Sequence, residues 1–155
     1  MNGKFRVVWV GKTKNPHLAA VCEDFAQRIR RFLGFEIVEA REPRVAEEPG
    51  RITAEGERIL AALAPTDFVV ILDAEGRTHT SLSFARFLNS HMTESPRNLV
   101  FVIGGYGGLA PKVRKRQDES LSLSRLTYSH DMARAVLLEQ IYRGLTIVRN
   151  LPYAR

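Results

Sequence analysis

Apolar residues follow two alternating patterns along this chain. Short blocks at 5–10, 35–38, 68–72 and 99–103 are apolar almost throughout. Between them apolar residues recur at helical spacing: Leu18, Val21, Phe25, Ile29 and Phe32; then Ile52, Ile59, Leu60 and Leu63; then Leu82, Ala85, Phe87 and Leu88. The first pattern predicts strands buried on both faces, and the second predicts amphipathic helices. The punctuation agrees, because Asn15-Pro16 pairs an N-cap with a first-turn proline and Pro65 stops the second helix. Residues 40–50, rich in Glu, Pro and Arg, predict an exposed loop. Pro111 opens a highly charged helix, 121–128 predicts a fifth strand, and a last helix covers about 131–149 ahead of a short tail. Strands alternating with helices predict a single-domain α/β fold, a parallel sheet with helices on both faces.

Composition narrows the setting. A chain of 155 residues can bury a sizeable core unaided. Cys22 is the only cysteine, which excludes an intrachain disulfide and fits a buried, inert thiol in a reducing compartment. The apolar runs are far shorter than the roughly 20 residues a membrane span needs, and no signal-peptide core is present. A cytoplasmic protein with no membrane partner is expected. The net charge of +6 is unevenly spread: +5 over residues 1–31, −4 over 32–110 and +5 over 111–155. Basic ends suit a polyanion such as RNA.

Most chemical motifs fail on spacing. GlyLysThr at 11–13 lacks the earlier glycine of a P-loop, since Arg6 stands there, and the GGxGG of 104–108 follows the fourth strand instead of opening a dinucleotide fingerprint after the first. His17, His79, His91 and His130 have no metal-binding spacing and read as solvated or capping groups; no metal is expected. Ser129-His130-Asp131 holds the letters of a hydrolytic triad, but adjacent residues cannot form the relay, and a helix cap is the better reading. Asp73 and Glu75 suit either a cation or sugar hydroxyl, or simply a polar strand end, and the basic run 112–116 suits either phosphates or a solvated helix face. What remains is a location: ligands of open α/β sheets bind beyond the carboxyl ends of strands. There the chain sets 72–76, the glycine cluster and 121–126. Four glycines within 104–108 exceed what one turn needs, so the segment reads as a wall approached closely by a ligand.

The set ValGlyLysThrLys (10–14), LeuAsp (72–73), IleGlyGly (103–105), SerLeuSer (122–124) with Leu126, Thr127 and His130, GluGln-x-TyrArg (139–143) and Asn-x-ProTyr-x-Arg (150–155) resembles the bacterial large-subunit ribosomal RNA pseudouridine N3-methyltransferases, within the SPOUT superfamily. The similarity runs from end to end. It implies a C-terminal trefoil knot, a homodimer, S-adenosylmethionine (S-adenosyl-L-methionine) as methyl donor and a pseudouridine of 23S rRNA as acceptor. By position it implies a cofactor pocket of Leu72, Gly104, Leu123, Ser124, Arg125, Leu126, Thr127 and Tyr128. It also implies catalytic or RNA-facing roles for Arg143, Tyr153 and Arg155, with the tail completing the partner subunit's pocket. Leu151 and Ala154 replace the usual tail histidines, and Tyr106-Gly107 stands where Pro-Glu is common. Another RNA substrate such as tRNA, or an RNA-binding protein without catalysis, are the alternatives. The wide apolar stripe of the last helix, which includes Met132, Val136, Leu137, Leu138, Ile141 and Tyr142, suits a second buried face.

Overall fold

A computed structural model describes residues 5–105 and 107–154. Strands β1 (Phe5–Val10), β2 (Phe35–Ala40), β3 (Phe68–Arg77), β4 (Leu99–Ile103) and β5 (Glu119–Leu121) form a sheet in the order β2-β1-β4-β3-β5. Every ladder is parallel. Helices α1 (Pro16–Arg30), α3 (Ser81–Thr93) and α5 (His130–Val148) cover one face, and α2 (Glu48–Ala61) and α4 (Pro111–Arg116) cover the other. The α1 and α3 connections cross the sheet in one direction and those of α2 and α4 in the other, so opposite faces keep a single crossover hand.

Strand alternation divides the core. Phe5, Val7, Trp9, Val70, Leu99 and Phe101 pack under α1, α3 and α5. Val8, Val69, Ile71, Val100 and Val102 pack under α2 and α4. Because both faces are covered, no polar face is left to mark, which is why these strands read as continuous apolar blocks.

The structure corrects several sequence expectations. On α1 the inward face is Cys22, Ala26 and Ile29, whereas Val21 is 38% exposed: small residues let the helix sit close while Leu18, Phe25 and Phe32 flank it. On α3 it is Phe84, Ala85, Leu88 and Met92, with Leu82 51% exposed. The 40–50 loop is shorter, because β2 runs to Ala40 and α2 starts at Glu48. The largest difference is β5, which ends at Leu121 instead of continuing to 128. Ser122 Oγ donates to Ala74 O (2.9 Å) and Ser124 O (3.1 Å), and Ser124 Oγ accepts from Leu126 N–H (3.0 Å). Such local bonds compete with a strand ladder, and serine alternation mimics an amphipathic strand.

His79 and His91 pack on aromatic rings instead of lying in solvent, and His79 Nδ1 also bonds Ser83 Oγ (3.0 Å) of the α3 capping box. His79 meets Phe84 and Phe87, His91 meets Phe68 and Phe87, and burial pushes both imidazoles below their ordinary pKa. Cys22 is buried, and desolvation raises its thiol to about 11. No helix among the described residues is long and apolar enough to cross a membrane. No cluster of His, Cys, Asp and Glu among them could hold a metal ion.

Candidate functional site

The connection leaving β1 runs toward one sheet edge and that leaving β4 toward the other, so a crevice opens between these neighbouring strands at their carboxyl ends. A cleft of about 600 Å³ lies there, a size suited to a cofactor. Its walls come from Lys14, Asn15 and Leu18 after β1, from Ile103 to Gly105, Gly108 and Leu109 after β4, and from Leu72 to Ala74 on β3. Arg114, residues 123–131 apart from Arg125, and Ala133 complete it.

Two carboxylates brace this cleft. Asp131 Oδ2 accepts the backbone N–H groups of Lys14 (3.1 Å) and Asn15 (2.8 Å), tying the β1–α1 loop to the first turn of α5. Beside it Arg134, buried against Trp9, donates to Val10 O (2.8 Å), Gly11 O (3.1 Å) and Thr13 Oγ1 (3.1 Å). On the opposite wall Asp73 Oδ1 accepts from Glu75 N–H (3.0 Å) and Oδ2 from Arg114 Nη1 (2.8 Å). The Glu75 N–H and then Arg114 hold the Asp73 carboxyl below its usual range. Ser129 Oγ accepts from Met132 N–H, so the triad-like letters do cap a helix.

The glycines serve several ends. Gly108 N–H donates to Gly105 O (3.1 Å) and Gly108 takes φ +85°, closing a tight turn. A Cβ on Gly104 would lie 2.9 Å from Leu109 Cδ2, and one on Gly107 would lie 2.5 Å from Ile52 Cδ1. The segment is thus a turn pressed onto α2 whose Gly104, Gly105 and Gly108 form a cleft wall.

Of the residues singled out from sequence, Leu72, Gly104, Leu123, Ser124, Leu126, Thr127 and Tyr128 meet in this cleft. Arg125 sits on the same segment but is exposed and does not line it. Arg143 and Tyr153 lie elsewhere: Glu139 Oε2 accepts from Arg143 Nη2 (2.8 Å) and Tyr153 Oη (2.8 Å), and the Tyr153 ring packs on Tyr142. Arg143 is 13 residues beyond His130 on α5, about 20 Å along a helix. Arg155 falls outside the described residues, as does Tyr106. Sequence reasoning passed over Glu139 as a hub, although its i,i+4 spacing to Arg143 was a signal. It also passed over Lys14, Asn15, Leu18 and Arg114 as wall residues, which only the fold brings together.

A family model described as "Predicted SPOUT methyltransferase" matches residues 3–154. The chain belongs to the SPOUT methyltransferase family. Within it, the chain is 41% identical over 151 residues to a ribosomal RNA large subunit methyltransferase H of Trichlorobacter lovleyi, covering 97% of this chain and 98% of that protein. The relative of the same name from Anaeromyxobacter dehalogenans is 43% identical with the same coverage. In fold, a probable methylase family protein from Haemophilus influenzae aligns with 97% of this chain and 70% of its own, at TM-score 0.58 and 12% identity. A probable rRNA-methyltransferase from Porphyromonas gingivalis aligns with 96% and 71%, at TM-score 0.56 and 12% identity. In this SPOUT chain the segment that lines the cleft carries a further property: among the described residues, the main chain of 123–128 bonds to no other main-chain group. Two of its groups are taken up by side chains, Ser124 O by the Ser122 hydroxyl and Leu126 N–H by Ser124 Oγ, which leaves the others to solvent or a ligand.

Proposed function

We propose that this protein transfers a methyl group from S-adenosylmethionine to N3 of a pseudouridine in the intersubunit stem-loop of 23S rRNA. The observation that carries the reading is the cleft at the carboxyl ends of β1, β4 and β3, in a chain 41–43% identical over nearly its whole length to ribosomal RNA large subunit methyltransferases H. The cleft suits an adenosine: Leu72, Leu123 and Leu126 offer apolar surface for its faces, and the main chain of 123–128, apart from Ser124 O and Leu126 N–H, offers donors and acceptors for its edge. Gly104 keeps the opposite wall low. When bound, the cofactor supplies an activated methyl on a sulfonium, so the chain's task is alignment of the acceptor and removal of one imide proton.

Arg143 and Tyr153 enter as donors. Desolvation and the bond to Glu139 push the Tyr153 hydroxyl above its ordinary pKa, so it stays protonated near neutrality and serves to orient, not to accept a proton. Because this cluster lies away from its own cleft, its place is at the cleft of a second copy, with Arg155 following it. A homodimer is supported by the α5 stripe Met132, Val136, Arg143 and Ile147, none of it fully buried, and by Leu126, Tyr128 and Leu151 at 77%, 40% and 46% exposure.

Residues 1–155 act as one SPOUT methyltransferase domain in the cytoplasm. We further propose that the return from β5, at one sheet edge, to α5, bonded to the loop after β1, is threaded as a trefoil knot. The basic ends of the chain face the rRNA. Calorimetry with S-adenosylmethionine tests the pocket: saturable one-site binding is expected, and no heat at millimolar ligand contradicts the enzyme reading.

A further inference from the structure

The cleft holds an ion pair that adenosine recognition leaves unused. Asp73 and Arg114 face each other across 2.8 Å at the β3 end of the wall, with side chains 27% and 47% exposed. The other acid and base lining the cleft at the β1 end are occupied or turned away. Asp131 is taken up by two backbone N–H groups, and Lys14 is 73% exposed beside Glu42.

Both members of the pair are held by their surroundings. Asp73 is fixed through the Glu75 N–H. Arg114 sits on a short helix clamped by fully buried Val113 and by Arg116, which donates to Ala64 O (3.0 Å) and Asp67 O (2.9 Å). A carboxylate accepts at several positions and a guanidinium carries five N–H donors, of which the bond to Asp73 uses one. Two opposite charges fixed side by side at the end of an apolar cleft complement a ligand that itself ends in two opposite charges side by side.

The geometry points to Asp73 and Arg114 as the subsite for the amino-acid end of the methyl donor, with the α-ammonium beside Asp73 and the α-carboxylate beside Arg114. This rests on the cofactor reading above and adds a specificity determinant to it. The four charges alternate in sign, so each ligand group meets an opposite partner without separating the protein's own pair. In the unliganded cleft the pair keeps both groups compensated.

Calorimetry on the full chain with three ligands tests this. S-adenosylhomocysteine carries both charged groups, decarboxylated S-adenosylmethionine lacks the carboxylate, and methylthioadenosine lacks both. Asp73→Asn removes the charge but keeps an Oδ1 acceptor for the Glu75 N–H. It is expected to weaken the first two ligands about 10-fold, the lower end for a charge-assisted bond at a half-open site. Arg114→Gln is expected to weaken S-adenosylhomocysteine by about the same factor and to leave the decarboxylated ligand unchanged. Methylthioadenosine should bind both variants as it binds wild type. Equal losses for all three ligands would make the pair a structural strap and overturn the proposal, as would no loss for any. If Arg114→Gln fails to fold, Arg114→Lys replaces it, and S-adenosylhomocysteine must still lose affinity relative to methylthioadenosine. Failure of wild type to bind any of the three overturns the cofactor reading, and this proposal with it; wild-type binding that the variants leave unaltered overturns this proposal alone.

Discussion

Single carboxylates at the two ends of the sheet have different duties. At the amino end Asp67 is fully buried, accepts from Arg6 Nη2 and from Ala64 N–H (2.7 Å), and its backbone C=O takes Arg97 and Arg116. The network ties β1, the α2–β3 loop and α4 together. Removing one partner of a buried pair leaves an uncompensated charge, so Asp67→Ala should destabilise the fold by about 3 kcal/mol. Urea unfolding checks this, and a loss under about 1 kcal/mol would class the pair with exposed ones. At the carboxyl end Asp73 and Asp131 hold loops and ligand walls. Sequence set Asp73 just past a strand ending at Leu72, whereas β3 runs on to Arg77 and contains it; its partner was not legible, because Arg114 is 41 residues away and only the β3–β4–α4 path brings them together. Arg125 illustrates the reverse: a position within a matching motif whose side chain points out of the cleft.

Among elements, the glycine turn after β4 and the segment after β5 define the pocket. Gly104→Val would place its Cβ 2.9 Å from Leu109, itself a wall residue, and 3.3 Å from Gly108 C. We expect at least a 10-fold loss of S-adenosylmethionine affinity for a stability cost of about 1–2 kcal/mol, typical of an overpacked site. Calorimetry and urea unfolding read the two separately; unchanged affinity would remove Gly104 from the pocket. The strands and helices themselves were legible because burial on two faces or one leaves an unambiguous apolar period. The end of β5 was not, since SerLeuSerLeuSer has strand periodicity and only the hydroxyl bonds to Ala74 O and Ser124 O break the ladder. Helix faces slipped where small residues, Cys22 and Ala26, point inward and larger neighbours flank them.

At the scale of the whole molecule, the site divides. The cleft is built by β1, β3, β4 and the start of α5, whereas Arg143 sits about 20 Å along that helix from His130 and shares Glu139 with Tyr153 of the tail. Sequence order placed both sets within one family pattern, yet no pattern along a chain states which copy supplies which half. The proposed dimer would close the gap, and the open stripe on α5 is where it would form. The central claim is methyl transfer to rRNA, and mass spectrometry of 23S rRNA from cells lacking this protein tests it most directly. The account predicts that N3-methylation of the intersubunit stem-loop pseudouridine disappears and returns when the protein is restored. Full methylation at that nucleotide in its absence would contradict it.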